Sequence, residues 1–188
     1  PYKFYGAGTD PLCQGSTGNE LVLMPDNRDW AATAVVYQSG ATPPFSVEFD
    51  LKTSHSNADP QADGFTFFFG KSDSAFEEAA PDRGQLGVVK DGTGYAVFFN
   101  TWTRQIGARD TDWQPIGSDV NHPANTQDEW VNVRIEVQTE GIEVFWGETS
   151  VLSASHTWST AHDSVGFTAG TGYYTAEYRL RDIAFSEL

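Results

Sequence analysis

The stretch QADGFTFFFG, Gln61 to Gly70, puts an acid and a glycine in front of a very apolar run. In an extended strand Phe65, Phe67 and Phe69 share one face and Phe68 takes the other. A strand that is apolar on both faces belongs inside a protein, covered from both sides. Asp63, in Ala62-Asp63-Gly64, stands at its mouth, where a carboxylate has no core to serve.

The neighbouring sequence reads as more strands. FSVEFDLK places Phe45, Val47, Phe49 and Leu51 on one face and Ser46, Glu48, Asp50 and Lys52 on the other. WVNVRIEV alternates in the same way, with Val131, Val133, Ile135 and Val137 opposite Asn132, Arg134 and Glu136. IEVFWG follows after the turn Glu140-Gly141, which predicts a hairpin. ELVLM, ATAVVYQ, GYAVFFNTW, SVGFTAG and YRLRDIAFSEL supply further strands, separated by the turn clusters SGATPP, SHSNADPQ, KDGTG and NHPANTQD. SAFEEAAP is expected to form at most one short helical turn. Many short strands without a linker or repeat predict an all-β sandwich of two antiparallel sheets, with residues 1–188 as a single domain.

Composition narrows the function. With 13 Phe, 7 Tyr and 6 Trp the chain is too aromatic for disorder. A net charge of −15 argues against a nucleic-acid backbone or an anionic membrane as partner, and leaves acids to spare for calcium. No apolar run approaches the ~20 residues of a membrane-spanning helix. The lone Cys13 cannot form an internal disulfide. The chain begins at Pro1 without a Met, which fits a processed protein or a module of a larger one.

Catalytic signatures are absent: no P-loop, G-x-G-x-x-G, H-E-x-x-H, C-x-x-C or G-x-S-x-G occurs. His55, His122, His156 and His162 are scattered through turn-like segments and read as exposed loop histidines. Glu48 and Asp50 share a strand face, as paired glycosidase acids would. Lys52 continues that row, so a solvated outer face accounts for it, and no catalytic residue is assigned. Exposed aromatic rings suit the C–H face of a sugar.

The ordered set ADGFTFFFG, RGQLGVVKDGTGYAVFFNTW, PIGSDVN, DEWVNVRIEV and VGFTAGTG, ending in RLRDIAFSEL, resembles the legume-type (L-type) lectins. The resemblance runs from about Leu21 to Leu188, leaving residues 1–20 least covered. Phe98-Phe99 is closer to the animal intracellular-transport members than to the plant ones. The resemblance implies a concanavalin A-like jelly roll with a sugar site on loops at the rim of the front sheet. It implies that Asp63 is the principal hydroxyl acceptor and that the Ala62-Asp63 peptide is cis. It also implies that the Gly84 N–H donates to the sugar, that Trp102 stacks on it, and that Gly172, Tyr173 and Tyr174 form the specificity loop. Asn100 completes this ligand set.

The family's metal positions are only partly kept. The plant members' strand Glu and Asp fall on Phe98 and Asn100, their loop Asn on Arg104, and their His before Ile-Gly on Pro115. The resemblance therefore implies that the transition metal is lost. For calcium it leaves two arrangements open. Asn100, the Trp102 carbonyl and Asp110 are the candidate ligands, with Asp112 and Asp119 as nearby spares. Alternatively, Arg104 fills the gap and holds Asp110 or Asp112 in place of the ion. The expected function is a non-catalytic glycan-recognition module, secreted or displayed at a cell surface. The alternatives are a glycoside hydrolase or polysaccharide lyase on the same sandwich, or a peptide- or protein-binding adhesin module.

Overall fold

The computed structural model of the chain describes residues 2–6, 20–25, 32–37, 42–54, 63–71, 86–88, 93–110, 112–122, 126, 128–159 and 164–188. The strands in chain order are β1 (Tyr2–Gly6), β2 (Glu20–Met24), β3 (Ala32–Tyr37), β4 (Phe45–Ser54), β5 (Gly64–Lys71), β6 (Tyr95–Asn100) and β7 (Gln105–Arg109). They continue as β8 (Pro115–Asn121), β9 (Val131–Gln138), β10 (Gly141–Trp146), β11 (Thr149–Ser155), β12 (Ser164–Gly170) and β13 (Glu177–Glu187). One sheet has the order β1-β3-β12-β5-β6-β7-β8 and the other β11-β10-β9-β4-β13-β2. Their neighbouring strands pair antiparallel. The expected hairpin is β9–β10, with Gly141 opposite Gln138. The segment Ser74–Pro81, expected as a short helical turn, lies outside the described residues.

The alternation read from the sequence is the core. Phe45, Val47, Phe49 and Leu51 of β4 are buried, and Phe65, Phe67 and Phe69 of β5 face them from the other sheet. Phe49 meets Phe167 edge-on at 5.1 Å between ring centroids, and Phe45 meets Phe69 edge-on at 5.5 Å. Such pairs add about 0.5–1.5 kcal/mol beyond the area they bury. The outer face of β4 is solvated: Glu48 accepts from Asn132 Nδ2 at 3.0 Å, and Asp50 accepts from Arg181 Nε and Nη2 at 3.1 and 3.0 Å.

The second face of β5 is covered too, as its sequence predicts. Thr66 and Phe68 are fully buried there, beside Phe98 and Thr168. Leu86 and Gly87 lie over this face, where Thr168 Oγ1 donates to the Leu86 carbonyl at 2.7 Å. Gly166 leaves room for Phe68, because a Cβ there would stand 2.7 Å from the Phe68 ring.

The ends of three strands meet at one corner. Gly64, the first residue of β5, lies opposite Asn100, the last of β6, and opposite Gly170, the last of β12. Gly64 has φ +147°, and a Cβ on it would fall 2.1 Å from the Phe99 carbonyl oxygen. Only glycine lets β5 begin there. The loops after β6 and β12, and Asp63 before β5, therefore leave the sheet side by side.

Two glycine substitutions separate backbone strain from collision. Gly147, in the β10–β11 turn, has φ +59° with nothing within 4 Å of an added Cβ. Gly147→Ala is expected to cost about 1–2 kcal/mol, the left-handed penalty alone. Gly64→Ala is expected to cost roughly 3 kcal/mol or more, because the Phe99 carbonyl must also move. Urea unfolding of the two variants checks the ranking; equal losses would contradict it.

Candidate functional site

The backbone fixes Asp63 before its side chain is considered. The Asp63 N–H donates to the Gly170 carbonyl at 3.0 Å. Its own carbonyl accepts from Thr101 N–H at 3.0 Å and Trp102 N–H at 3.4 Å. The residue is thus fastened to the ends of both neighbouring strands. Its carboxylate lies beside Gly172, where an added Cβ would be 3.2 Å from Oδ2. Burial pushes the Asp63 carboxyl above the usual carboxylate range. Among the described residues none donates a hydrogen bond to it. A half-buried acid without a partner pays desolvation and gains nothing from the fold, which is the pattern of a ligand acceptor.

Aromatic rings stand next to it. Trp102 is 47% exposed and stacks on Tyr174 with centroids 5.1 Å apart and ring planes 20° from parallel. Tyr173 is 75% exposed and meets Tyr174 edge-on at 5.3 Å. Trp102 and Tyr173 are the most exposed rings among the described residues, Tyr174 is half-buried, and all three belong to the two loops that flank Asp63. The corner therefore combines a fixed acceptor, a small-residue gap at Gly172 and an aromatic wall. Gly84 and the Ala62-Asp63 peptide, expected here, lie outside the described residues.

The expected metal ligands do not come together. Asn100 caps its own turn, its Oδ1 accepting from Thr103 N–H at 2.7 Å. Trp102 is on that turn. Asp110 is not: strand β7 pairs Gln105 with Asn100 and Arg109 with Ala96, so Asp110 follows the far end of β7. Four rungs at ~3.3 Å put it at least ~13 Å from Asn100. There its Oδ1 accepts from Asp112 N–H at 3.0 Å and Gln114 N–H at 2.8 Å, ordering the β7–β8 turn. Asp119, a spare in the sequence, is held bidentately by Arg109 at 2.6 and 2.7 Å. No described acid pairs with Arg104, so the alternative in which it holds Asp110 or Asp112 is not formed either. Among the described residues no three His, Cys, Asp or Glu side chains group as a metal would need.

The reason is a register that the sequence offered twice. The chain contains Gln105-Ile106-Gly107 as well as Pro115-Ile116-Gly117. Matching the second implies a long loop after Trp102. The strand resumes at the first, which leaves a turn of only Thr101 to Arg104.

The histidines also differ from expectation. His122 is half-buried with its ring 4.8 Å from Trp146, and burial lowers its pKa. His156 packs against Trp158 at 4.8 Å and Tyr95 at 5.3 Å. Both follow strand ends, where apolar neighbours close over them. His55 and His162 lie outside the described residues. Sequence reasoning missed Tyr178, which is fully buried under the corner with its hydroxyl 2.9 Å from Thr101 Oγ1. The polar Thr101, two residues after Phe99, was the available signal.

Comparison with known proteins agrees with this architecture. No family model matches the sequence, and no curated protein matches it. Among solved structures the chain is similar to the exoplasmic/lumenal domain of VIP36 in its Ca2+/Man2-bound form. The identity is 14% and the TM-score 0.78, with 100% of this chain and 81% of that chain covered. It is similar to arcelin-5, a lectin-like defense protein from Phaseolus vulgaris, at 18% identity and a TM-score of 0.79, covering 100% and 92% of the two chains. It is also similar to lectin II from Ulex europaeus, at 19% identity and a TM-score of 0.75, covering 98% and 92%. At these identities the likeness carries the architecture: the chain has the fold of the legume-type lectins, a jelly-roll sandwich of two antiparallel sheets.

Proposed function

We propose that residues 1–188 form one non-catalytic glycan-binding module and that the corner around Asp63 is its site. The observation that carries this reading is the half-buried Asp63 carboxylate, with no donor among the described residues, beside the exposed Trp102 and Tyr173 rings. A sugar supplies what each part lacks: vicinal hydroxyls donate to the carboxylate, and an apolar C–H face covers the rings. Gly172 leaves the carboxylate open to such a ligand, and the resemblance adds the Gly84 N–H. The likeness to lectin II from Ulex europaeus, to the lectin-like arcelin-5 and to the Man2-bound form of the VIP36 domain supports the reading. The exoplasmic/lumenal origin of the VIP36 domain also supports a place outside the cytosol, as expected of a secreted or surface-displayed module. Glu48 and Asp50, the paired acids nearest to a glycosidase pattern, are engaged by Asn132 and Arg181 on the outer face, which supports binding without bond cleavage.

A glycan array on the purified chain identifies the ligand, and titration calorimetry then tests the site. Asp63→Ala is expected to lower affinity at least thirtyfold, since losing a charged hydrogen-bond partner costs ~2–4 kcal/mol. Glu48→Ala is expected to leave affinity unchanged. An Asp63→Ala affinity equal to wild type would remove the residue from the site.

Acidity gives a second test with a definite sign. The carboxylate form accepts the hydroxyls, and its folded pKa is raised. Affinity is therefore expected to fall on acidification, beginning above the ordinary Asp range near ~4. Folding is opposed by the charged form at neutral pH, and this penalty is relieved as pH falls through the raised value. Asp63→Asn removes the charge, so it is expected to weaken binding while raising the melting temperature at pH 7 or leaving it unchanged. A clear loss of stability in Asp63→Asn would mark the acid as a structural turn residue.

A further inference from the structure

We infer that the corner is braced by the protein alone, with Asn100, Thr101 and Tyr178 positioning Trp102 and Asp63 where the lectin resemblance left calcium as one of two arrangements. The inference rests on the glycan reading for its purpose, though not for its test.

Each residue of the turn is tied to a protein atom. Thr101 and Trp102 donate their N–H groups to the Asp63 carbonyl, which joins the turn to the residue carrying the carboxylate. Thr103 N–H is taken by Asn100 Oδ1 at 2.7 Å. The Arg104 carbonyl accepts from His122 N–H at 2.9 Å, fixing the turn to the end of β8. Beneath it, the Thr101 and Tyr178 hydroxyls share a hydrogen bond at 2.9 Å, with both side chains buried. Arg104 itself adopts φ +58°, an uncommon conformation for a residue with a Cβ, which the bonds on either side hold in place.

The same geometry is unsuited to calcium, which takes ~6–8 oxygens at ~2.3–2.6 Å. Asn100 Oδ1 is aimed into the turn, the Asp63 carbonyl already serves two N–H groups, and Asp110 lies beyond the far end of β7. The turn also carries the Arg104 guanidinium, whose positive charge opposes a divalent cation nearby. The hydrogen bonds perform the task that remains, which is to keep Trp102 stacked on Tyr174 and Asp63 at the corner.

The test needs no glycan, so it stands even if the array finds none. After dialysis against EDTA, the chain is titrated with calcium alone and with terbium alone. The expected results are an unchanged melting temperature and no terbium emission sensitised by tryptophan. In parallel, the near-ultraviolet circular dichroism of the Trp102–Tyr174 stack is followed in EDTA, with Trp102→Phe defining its contribution. Asn100→Ala and Tyr178→Phe are expected to lose most of that contribution while keeping the far-ultraviolet β spectrum. Asn100→Asp, which retains the Oδ acceptor, is expected to restore it without added metal. A calcium-dependent rise in melting temperature, or saturable terbium emission lost in Asn100→Ala, would overturn the inference. So would Asn100→Ala and Tyr178→Phe spectra that match the wild type. If Tyr178→Phe fails to fold, the Asn100 pair decides alone.

Discussion

The site depends on a side chain that is absent. Gly64 lets the backbone of β5 pass against the Phe99 carbonyl, closer than any residue with a Cβ could. That approach brings the starts and ends of β5, β6 and β12 to one point. Asp63 then bonds through its backbone to both neighbours, and the two loops that follow β6 and β12 have no choice but to stand beside it. The aromatic wall and the carboxylate meet because three strand ends do. Behind the corner the rings are closely packed: Phe65 stacks flat on Phe99 at 4.5 Å, and Tyr178 lies 5.7 Å from Phe65. A binding group carried on such a base loses little freedom when ligand arrives, so more of the interaction energy appears as affinity.

The corner also shows a local trade of stability for binding. A carboxylate wants water or a donor, and Asp63 is kept from much of the first without receiving the second from any described residue. Large rings want burial, yet Trp102 and Tyr173 are exposed. Elsewhere the chain follows the opposite rule. Acids on the outer face of the six-stranded sheet are matched with Arg179 and Arg181, and Asp119 is matched with Arg109. Sites where local rules are broken together are where function is expected.

Much of this was legible in the sequence because period-two alternation survives folding unchanged. FSVEFDLK gave its buried face residue by residue, WVNVRIEV did so except at the half-buried Val131, and the doubly apolar FTFFFG marked a covered strand. Asp63, Trp102, Gly172, Tyr173 and Tyr174 were all named from sequence, and the structure brings them together. The metal reading failed at Asp110 for a definite reason. Pairing register is decided by which residues lie opposite β6, and two Ile-Gly pairs ten residues apart offered equal local patterns. Gln105-Ile106-Gly107 wins by placing Ile106 in the core opposite Phe99, with Gly107 opposite Phe98. An added Cβ at Gly107 would stand 2.6 Å from the Phe98 ring, so that ring demands a glycine. The histidines were misread for a related reason: whether a loop residue is covered depends on neighbours distant in sequence.

The proposed site places a glycan against Trp102 at the Asp63 corner. The most direct measurement labels the chain with 5-fluorotryptophan and follows its fluorine resonances during titration with the best array ligand, in EDTA. The Trp102 resonance, identified by its loss in Trp102→Phe, is predicted to shift saturably, while that of Trp158, which packs on Phe69 and Tyr95 at the far end of β5 and β6, stays in place. A ligand that moves Trp158 and leaves Trp102 still would contradict it.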